Sequence, residues 1–167
     1  MTGRYVIREH QAADLQALRK LFVEARNVAF PWAPAGRHQE SDFDVVTAGE
    51  RVLVAFPRYA KADEVPLGFA SVWEPDGFLH NLFVHPSVQQ QGVGSALLAA
   101  CTPYFGHHTP TLKCLRVNEG ATRFYRARGW RVQSEGDGAD GTFLLMSKIA
   151  ATPGSSSIER PNSERRK

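Results

Sequence analysis

An apolar run that ends at a proline and is followed by two closely spaced glycines constrains this chain more than any other feature. The run from Phe78 to Val84 has the composition of a buried strand, and Pro86 follows it closely. After a polar stretch, Gly92 and Gly94 open a second apolar pattern that has helical spacing. The sequence therefore predicts a strand, a loop and the beginning of a helix, with no side chain where loop and helix meet.

A loop of this kind can bind an anion through the main chain. The first N–H groups of a helix have no partner inside the helix, and they lie at the positive end of its dipole. Glycines at this place let an anion approach the N–H groups without meeting a Cβ atom. The segment from Gln89 to Ser95 thus predicts binding of a phosphate or pyrophosphate. Close packing at the start of a helix is the alternative reason for two such glycines.

Two common phosphate-binding motifs do not fit this segment. A dinucleotide-binding loop would need a third glycine where this chain has Leu97, and it would lie near the first strand rather than in mid-chain. A P-loop would need the triplet Gly-Lys-Ser/Thr, which the sequence lacks. The segment instead matches the pattern Q/R-x-x-G-x-G/A between Gln89 and Gly94.

A second block, from Val117 to Trp130, resembles the pattern N-x-x-A-x-x-F-Y-x-x-x-G-F, with tryptophan in the last aromatic position. With both blocks present in this order and at this separation, the chain resembles the GNAT superfamily of acetyl-CoA-dependent N-acetyltransferases. The resemblance extends over about residues 4 to 148, and its distinctive motifs lie between residues 78 and 130.

The resemblance implies an α/β fold with an α+β mixed sheet. The expected architecture is a central mixed sheet of about seven strands with flanking helices, splayed between the fourth and fifth strands. The apolar runs agree, because they predict the element order β-α-α-β-β-β-α-β-α-β-β, with Asp14 as a cap of the first helix. We expect one acetyltransferase domain over residues 1–150. Residues 151–167 are polar and lack aromatic side chains, so they are expected to form a disordered tail.

The resemblance also implies acetyl-CoA as co-substrate, and no metal. The strand before the loop would contact the pantetheine arm through main-chain groups, and the loop would bind the pyrophosphate. Asn118 would bond to the pantetheine arm, cap a helix, or do both. The residues expected to bind the cofactor are Leu82, Phe83, Val84, Gln89, Gln90, Gln91, Gly92, Val93, Gly94, Ser95, Asn118 and Tyr125.

Acetyl transfer needs a neutral amine, a donor for the developing oxyanion and a proton for the departing thiolate. Tyr125 matches the family's helix tyrosine and is the expected general acid, with a core tyrosine as the alternative. The sequence marks the general base less clearly. No glutamate occurs in the strand before the glycine loop, Phe78 to Val84, or in the strand after it, around Leu112 to Leu115. His80 matches a histidine of the serotonin-acetylating relatives and is the expected catalytic base, against a purely structural role. Glu74 and Asp76 are the further candidates.

Phe30 and Trp32 lie in a loop that borders the acceptor site in this superfamily. With His80, they are the residues expected to bind the acceptor. An aromatic pair could line a pocket for an apolar or cationic amine. The alternative is that both rings simply pack under the loop.

Composition excludes several classes of protein. Net charge is +3, and residues 151–167 hold four basic and two acidic side chains, so the domain itself is near neutral and unsuited to nucleic acid. No apolar run of 18 residues predicts a membrane span, and no signal-peptide pattern opens the chain. Cys101 and Cys114 fall inside apolar elements, which predicts buried thiols in a reducing compartment and a cytoplasmic protein.

The sequence therefore predicts an N-acetyltransferase that moves an acetyl group from acetyl-CoA to a primary amine by direct attack, with a small-molecule amine as the expected partner. Two alternatives stay open. One is a non-catalytic CoA-binding regulatory module, an alternative that the absence of a glutamate base supports. The other is a protein lysine or N-terminal acetyltransferase. Dimers are common in the superfamily, so a homodimer is also left open.

Overall fold

A computed structural model describes residues 3–61 and 63–149. The tail expected at residues 151–167 lies outside the described residues. Short 3-10 turns occur at Ala12–Asp14, Glu74–Asp76, Pro86–Val88 and Thr102–Phe105. The helices and strands are β1 (Tyr5–Glu9), α1 (Leu15–Ala29), α2 (Glu40–Val46), β2 (Arg51–Pro57), β3 (Gly68–Trp73), β4 (Phe78–Val84), α3 (Val93–Cys101), β5 (Thr111–Leu115), α4 (Glu119–Arg126), β6 (Trp130–Gly138) and β7 (Gly141–Lys148).

The seven strands form one mixed sheet in the order β1-β2-β3-β4-β5-β7-β6. The parallel pair is β4 with β5, and it is short: Phe78 pairs with Thr111, and Leu79 pairs with Leu112. Beyond Leu79 the ladder between these strands ends, so the sheet opens there. The predicted fold, a mixed sheet of seven strands splayed between the fourth and fifth, is confirmed.

Each face of the sheet carries its own apolar core. Val52 and Val54 of β2 belong to the core under α1 and α2, whereas Leu53 and Ala55 belong to the core under α3. A strand that is covered on both faces has a continuous apolar run rather than an alternating one, as β2 does. The sheet is therefore the middle layer of three.

The helix α1 is held by an apolar stripe along one side. Leu18, Leu21, Phe22 and Ala25 recur at helical spacing and are at most 2% exposed. Complete burial of a side chain such as leucine or phenylalanine contributes about 1.5–3 kcal/mol each. This stripe fixes α1 on the sheet. As a result, the C-terminal end of the helix lies at the opening between β4 and β5.

A bulge interrupts β4 two residues into the strand. Ser71 pairs with Asn81 and Val72 pairs with Leu79, which leaves His80 as the extra residue. Asn81 is buried, and its amide donates to the Ser71 hydroxyl group at 2.8 Å. A bulge adds one residue and turns the strand locally. As a result, His80 does not continue the alternation that a regular strand would give it.

One local expectation was wrong, and one stretch departs from what its composition suggests. Asp14 does not cap α1 with its side chain, because its carboxylate accepts hydrogen bonds from the Gln11 N–H at 2.7 Å and from the Arg8 guanidinium. The glycine-rich stretch from Gly136 to Gly141, whose composition is typical of a turn, is mostly strand. Pairing of β6 along nearly all of β7 outweighs the low strand propensity of glycine.

Both cysteines are buried and neither is in a disulfide, as expected. Burial raises the pKa of the Cys101 thiol to about 12 and also raises the pKa of the Cys114 thiol. Thiols with such raised pKa values carry little thiolate at neutral pH and are poor nucleophiles.

Candidate active site

A cleft of about 670 Å³ lies where β4 and β5 separate. Five parts of the chain form its walls: α1, the end of β4, the loop after β4, the start of α3, and α4. The lining residues are Ala25, Val28, Ala29, Leu82, Phe83, Val84, Gln89, Gln90, Gly92, Gly94, Ser95, Asn118, Gly120, Ala121, Phe124, Tyr125 and Arg128.

The loop between β4 and α3 has two residues in left-handed backbone conformations. Gln90 has φ of +61°, and Gly92 has φ of +89°. A non-glycine residue at such a φ is uncommon and costs conformational energy, which is typical of functional loops. Tyr5 of β1 donates from its hydroxyl group to the Gln91 carbonyl oxygen at 2.5 Å and holds the loop to the sheet. The loop is thus fixed in a conformation that its sequence alone would not favour.

The helix α3 begins directly at the cleft. Its N-cap residue is Gly92, so no side chain satisfies the first N–H groups, and a Cβ atom added at Gly92 would meet nothing within 4 Å. Main-chain N–H groups at this helix start therefore face a space that an anion can enter.

Gly94 is more closely surrounded than Gly92. A Cβ atom there would lie 3.4 Å from the Phe124 ring and 3.5 Å from the Val84 side chain. These are ordinary van der Waals distances, so Gly94 lies against α4 and β4 but packing alone does not require a glycine there.

Arg128 adds a positive charge to the same end of the cleft, and the sequence analysis missed it. Its guanidinium group donates to the Ser95 hydroxyl group, from Nε at 3.0 Å, and to the Phe124 carbonyl oxygen at 2.8 Å. Its Cζ atom lies 3.7 Å from the centre of the Phe124 ring. The signal was present in the second motif block, where Arg128 follows Phe124 at the i, i+4 spacing of one helix face.

Asn118 caps α4. Its side-chain oxygen accepts a hydrogen bond from the Ala121 N–H at 3.2 Å, and the residue also lines the cleft. The structural role that the sequence predicted for Asn118 is therefore present. A bond from its amide to a bound molecule stays a prediction.

Tyr125 lines the inner wall of the cleft and is 9% exposed. Its ring packs edge-on against Trp130, with ring centres 5.9 Å apart. Burial raises the pKa of the Tyr125 hydroxyl group above its ordinary value, and the nearby Cys114 and Cys101 thiols raise it further. A phenol with a raised pKa keeps its proton at neutral pH, so Tyr125 is available as a donor.

Most of the residues predicted to bind the cofactor line this cleft. Gln91 and Val93 do not. Gln91 contributes its carbonyl oxygen to the bond from Tyr5, and the Val93 side chain is 1% exposed in the core under α3. Either residue can still present its main chain to the loop.

His80 lies outside the cleft lining, at the bulge of β4. Its Nδ1 atom is 2.6 Å from Oε1 of Glu50, which precedes β2. The Glu50 side chain is 6% exposed and that of His80 is 43% exposed. In the part of the chain that the structure describes, the buried Oε2 atom of Glu50 has no hydrogen-bond partner. Sequence analysis missed Glu50, because the pairing joins residues from two distant segments and leaves no local pattern.

Glu74, one of the alternative bases, is already paired. Its Oε1 atom accepts a hydrogen bond from Arg51 Nε at 2.8 Å, and Arg51 also donates to Glu9. The carboxylate of Glu74 is thus held on the outside of the sheet by a cation.

A second cavity, of about 360 Å³, holds the aromatic pair Phe30 and Trp32, whose ring centres are 5.6 Å apart. Phe83 lies near both cavities: it lines the cleft, and its ring centre is 6.4 Å from that of Phe30, which lines the second cavity. The second cavity, here called the aromatic pocket, is lined by Arg26, Phe30, Trp32, Ala33, Pro34, Arg37, His38, Leu115, Ala139 and Asp140.

Two of the residues that line the aromatic pocket form an ion pair. Arg37, in the loop between α1 and α2, donates from Nη2 to Oδ1 of Asp140 at 3.0 Å. Asp140 lies in the turn between β6 and β7. The pair is about half exposed, so its contribution to stability is small, but it fixes the loop relative to the hairpin.

Among residues 3–61 and 63–149, no group of three or more histidine, cysteine or acidic side chains is arranged to hold a metal ion. Within the same residues, no helix has the length and apolar character needed to cross a bilayer.

Comparison with known proteins identifies the family. The profile of the acetyltransferase (GNAT) family matches residues 15–130. The chain belongs to this family and carries its acyl-CoA N-acyltransferase domain, which confirms the resemblance inferred from the two motif blocks. A search of curated protein sequences found no match.

Solved structures share the fold. A GCN5-related N-acetyltransferase from Rhodopseudomonas palustris is 20% identical, with a TM-score of 0.71 over 90% of this chain and 98% of that one. The PaiA N-acetyltransferase from Thermoplasma acidophilum, solved in complex with coenzyme A, is 18% identical, with a TM-score of 0.67 over 87% and 99%. An alanine N-acetyltransferase of a ribosomal protein from Escherichia coli is 21% identical, with a TM-score of 0.63 over 91% and 97%.

Proposed function

We propose that this protein transfers an acetyl group from acetyl-CoA to the primary amine of a small molecule, by direct attack of the amine. The observation that carries the proposal is the closeness of the two cavities at Phe83. The cleft, which includes the start of α3, is lined by Phe83, and the Phe83 ring packs against Phe30 of the smaller aromatic pocket. Two substrates of different size and charge could thus bind next to each other.

The cleft suits the larger, anionic substrate. Uncapped N–H groups of α3 and the guanidinium group of Arg128 offer donors and positive charge to a pyrophosphate. Beyond Leu79, β4 has no ladder partner on the side of β5, so its main-chain groups from Leu82 to Val84 are free to bond an extended pantetheine arm. The bound thioester supplies the acetyl group.

Chemistry would take place where the cleft lies next to the aromatic pocket. The amine nitrogen forms a bond to the acetyl carbonyl carbon, the carbon–sulfur bond breaks, and the departing sulfur takes a proton from the Tyr125 hydroxyl group. The proton that the amine loses passes to His80, directly or through water, and a main-chain N–H of β4 stabilises the oxyanion. Because the ring nitrogen Nδ1 of His80 is engaged with Glu50, Nε2 is the nitrogen left for this transfer.

The volume of the aromatic pocket supports a small acceptor. A cavity of about 360 Å³ lies at the lower end of the range for small-molecule sites. The ion pair between Arg37 and Asp140 forms part of its lining. A protein or peptide acceptor would need an open groove that continues past the reacting amine.

The test is an acceptor screen in which acetyl-CoA is incubated with primary amines and with peptides, and release of free thiol is followed. We expect amine-dependent release with small amines. Release with peptides alone would favour a protein acceptor instead. If no compound causes release although calorimetry shows that CoA binds, the protein is a CoA-binding module and the proposal is wrong.

A further inference from the structure

We infer that the acceptor is a free α-amino acid with an apolar or aromatic side chain, whose carboxylate is bound by Arg26 and His38 in the aromatic pocket. The inference rests on the proposed function and adds the substrate class to it. It is carried by two polar side chains that line the pocket, each with a buried nitrogen atom that has no hydrogen-bond partner among the described residues.

Arg26 is a cation in apolar surroundings. Its Cζ atom lies 5.2 Å from the ring centre of Phe22, 4.9 Å from that of Phe30 and 5.7 Å from that of Phe83. Its Nε atom is buried and has no hydrogen-bond partner in the described part of the chain. Burial lowers the pKa of Arg26, but a guanidinium group stays charged at any physiological pH. The pocket therefore contains a permanent positive charge.

That charge has no ion-pair partner among the described residues. Asp140 and Asp42 are near enough to favour the charge, but neither is bonded to Arg26, and Asp140 is already bonded to Arg37. Aromatic faces attract a cation, but less strongly than a carboxylate does when water is excluded. A partly buried charge without a bonded partner is costly, so a ligand that brings an anion into contact gains an interaction that the protein does not make.

His38 lies beside Arg26 and also has a buried nitrogen atom without a hydrogen-bond partner among the described residues. It is 9% exposed and lines the pocket, and the buried atom is Nε2. Burial lowers the pKa of His38, and the nearby charge of Arg26 lowers it further, so the imidazole is neutral at pH 7. A neutral imidazole can donate one hydrogen bond to a carboxylate without adding a second charge.

The position of Arg26 relative to the cleft limits the distance between the amine and the carboxylate of the acceptor. Arg26 packs on Phe83, which lines the cleft, and its neighbour Ala25 lines the cleft as well. A carboxylate at Arg26 is therefore close to the place where the amine must react. An α-amino acid separates the two groups by a single carbon, whereas a peptide places its carboxylate far from its terminal amine.

The remaining walls define the side chain. Phe30, Trp32, Pro34 and Leu115 are apolar and surround the space beyond Arg26. A cationic side chain would be repelled by Arg26 and would find Asp140 already paired. An apolar or aromatic side chain fits these surroundings.

The test is calorimetric titration of the CoA-bound protein with matched pairs: phenylalanine, tryptophan, leucine and methionine, each as the free acid and as the C-terminal amide. We expect at least one acid to bind about tenfold or more tightly than its amide, as expected for loss of a charged hydrogen-bonded contact. Arg26→Met should bring acid and amide to within about twofold. Arg26→Met should fold, because it replaces an unpaired buried charge by an apolar chain of similar length.

The matched control is Arg19→Met, which removes the same charge from the same helix at a side chain that is paired with Asp44 and lines neither cavity. It should keep the preference for the acid. The inference is overturned if no acid binds more tightly than its amide, or if Arg26→Met keeps the preference. Thiol release assayed separately distinguishes the two proposals: turnover that ignores the carboxylate overturns the inference alone, whereas binding of an acid without any turnover overturns the proposed function alone.

Discussion

Glu50 and His80 lie 30 positions apart in the chain, yet Oε1 of Glu50 is 2.6 Å from Nδ1 of His80. The bulge at His80 brings the imidazole to this carboxylate, and burial of Glu50 fixes the partner in place. A carboxylate bonded to one ring nitrogen fixes the orientation and the tautomer of the imidazole. The pair is therefore arranged so that His80 can accept a proton at its other nitrogen.

If His80 is the base, removing its ring should change the pH dependence of the reaction. His80→Ala should lower kcat by about 10²–10⁴-fold and flatten the acidic limb of the pH–rate profile. Glu50→Gln keeps the shape of the side chain but removes the charge beside the imidazole, and it should lower kcat by a smaller factor. Steady-state rates measured across pH provide both readouts.

Glu74→Gln is the control for this pair, since Glu74 is held by Arg51 away from the bulge. It should leave the profile unchanged. An acidic limb that stays in place in His80→Ala would mean that the pair is structural and that the amine loses its proton elsewhere.

The uncapped start of α3 predicts a large effect of charge at Gly92. Gly92→Glu should abolish CoA binding, because a carboxylate would occupy the space in front of the helix N–H groups. Gly92→Ala introduces the same unfavourable backbone conformation, at φ of +89°, without the charge. It should retain measurable affinity in calorimetry. Equal affinity of the wild-type protein and Gly92→Glu would place the pyrophosphate elsewhere.

Removal of one hydroxyl group tests the general acid. Tyr125→Phe should lower kcat by about 10²–10⁴-fold while changing the Kd for CoA little, since the ring and its packing against Trp130 are kept. The raised pKa of Tyr125 implies that the phenol remains protonated across the neutral range, so this loss should not vary with pH there. Single-turnover measurements would show whether chemistry limits the rate. Full activity under that condition would contradict the role.

Arg128 should contribute to cofactor affinity through its charge. Arg128→Met should weaken CoA binding by about tenfold and reduce the dependence of Kd on salt. Arg123→Met is the matched control, because Arg123 lies five residues earlier, in α4, and is largely exposed and paired with Glu119. It should have little effect. Equal Kd values for the two variants would show that Arg128 only packs on Phe124.

Sequence alone predicted the parts of the site that depend on local pattern. The loop from Gln89 to Ser95 and the start of α4 at Asn118 are strand–loop–helix and cap signals, and such signals involve residues near one another in the chain. The seven-stranded fold followed from the same motif blocks.

Pairings between distant segments could not be predicted in this way. The contact of Glu50 with His80, and the position of Arg26 among three phenylalanine rings, arise only when sheet and helices pack. Arg26 follows Phe22 by four residues, so its position lies at the edge of the apolar stripe of α1, where the sequence gives no sign of a ligand. Its contact with Phe30 depends on the loop after α1, for which the sequence carries no periodic signal.

Asp14 and Arg8 predict how stability depends on pH. Hydrogen bonding from Arg8 is the main cause that holds the pKa of Asp14 below its ordinary value, and the Gln11 N–H adds to it, while burial opposes both. A carboxyl group with a lowered folded-state pKa stabilises the fold above its unfolded pKa of about 3.9, and this stability is lost as pH falls through the lower value. The contribution should therefore be complete at pH 7 and should decline below about pH 4.

Asp14→Asn isolates this effect. It should lower the free energy of unfolding by about 1–2 kcal/mol at pH 7, a moderate figure because the Arg8 side chain is partly exposed. The difference from the wild-type protein should shrink as pH falls below about 4. Asp14 becomes protonated first in the unfolded state and then, at lower pH, in the folded state. Asp44→Asn, which breaks the exposed pair with Arg19, is the control and should cost at most about 0.5 kcal/mol. Urea denaturation at pH 7 and pH 3 measures both variants, and a pH-independent loss in Asp14→Asn would show that shape rather than charge holds the turn before α1.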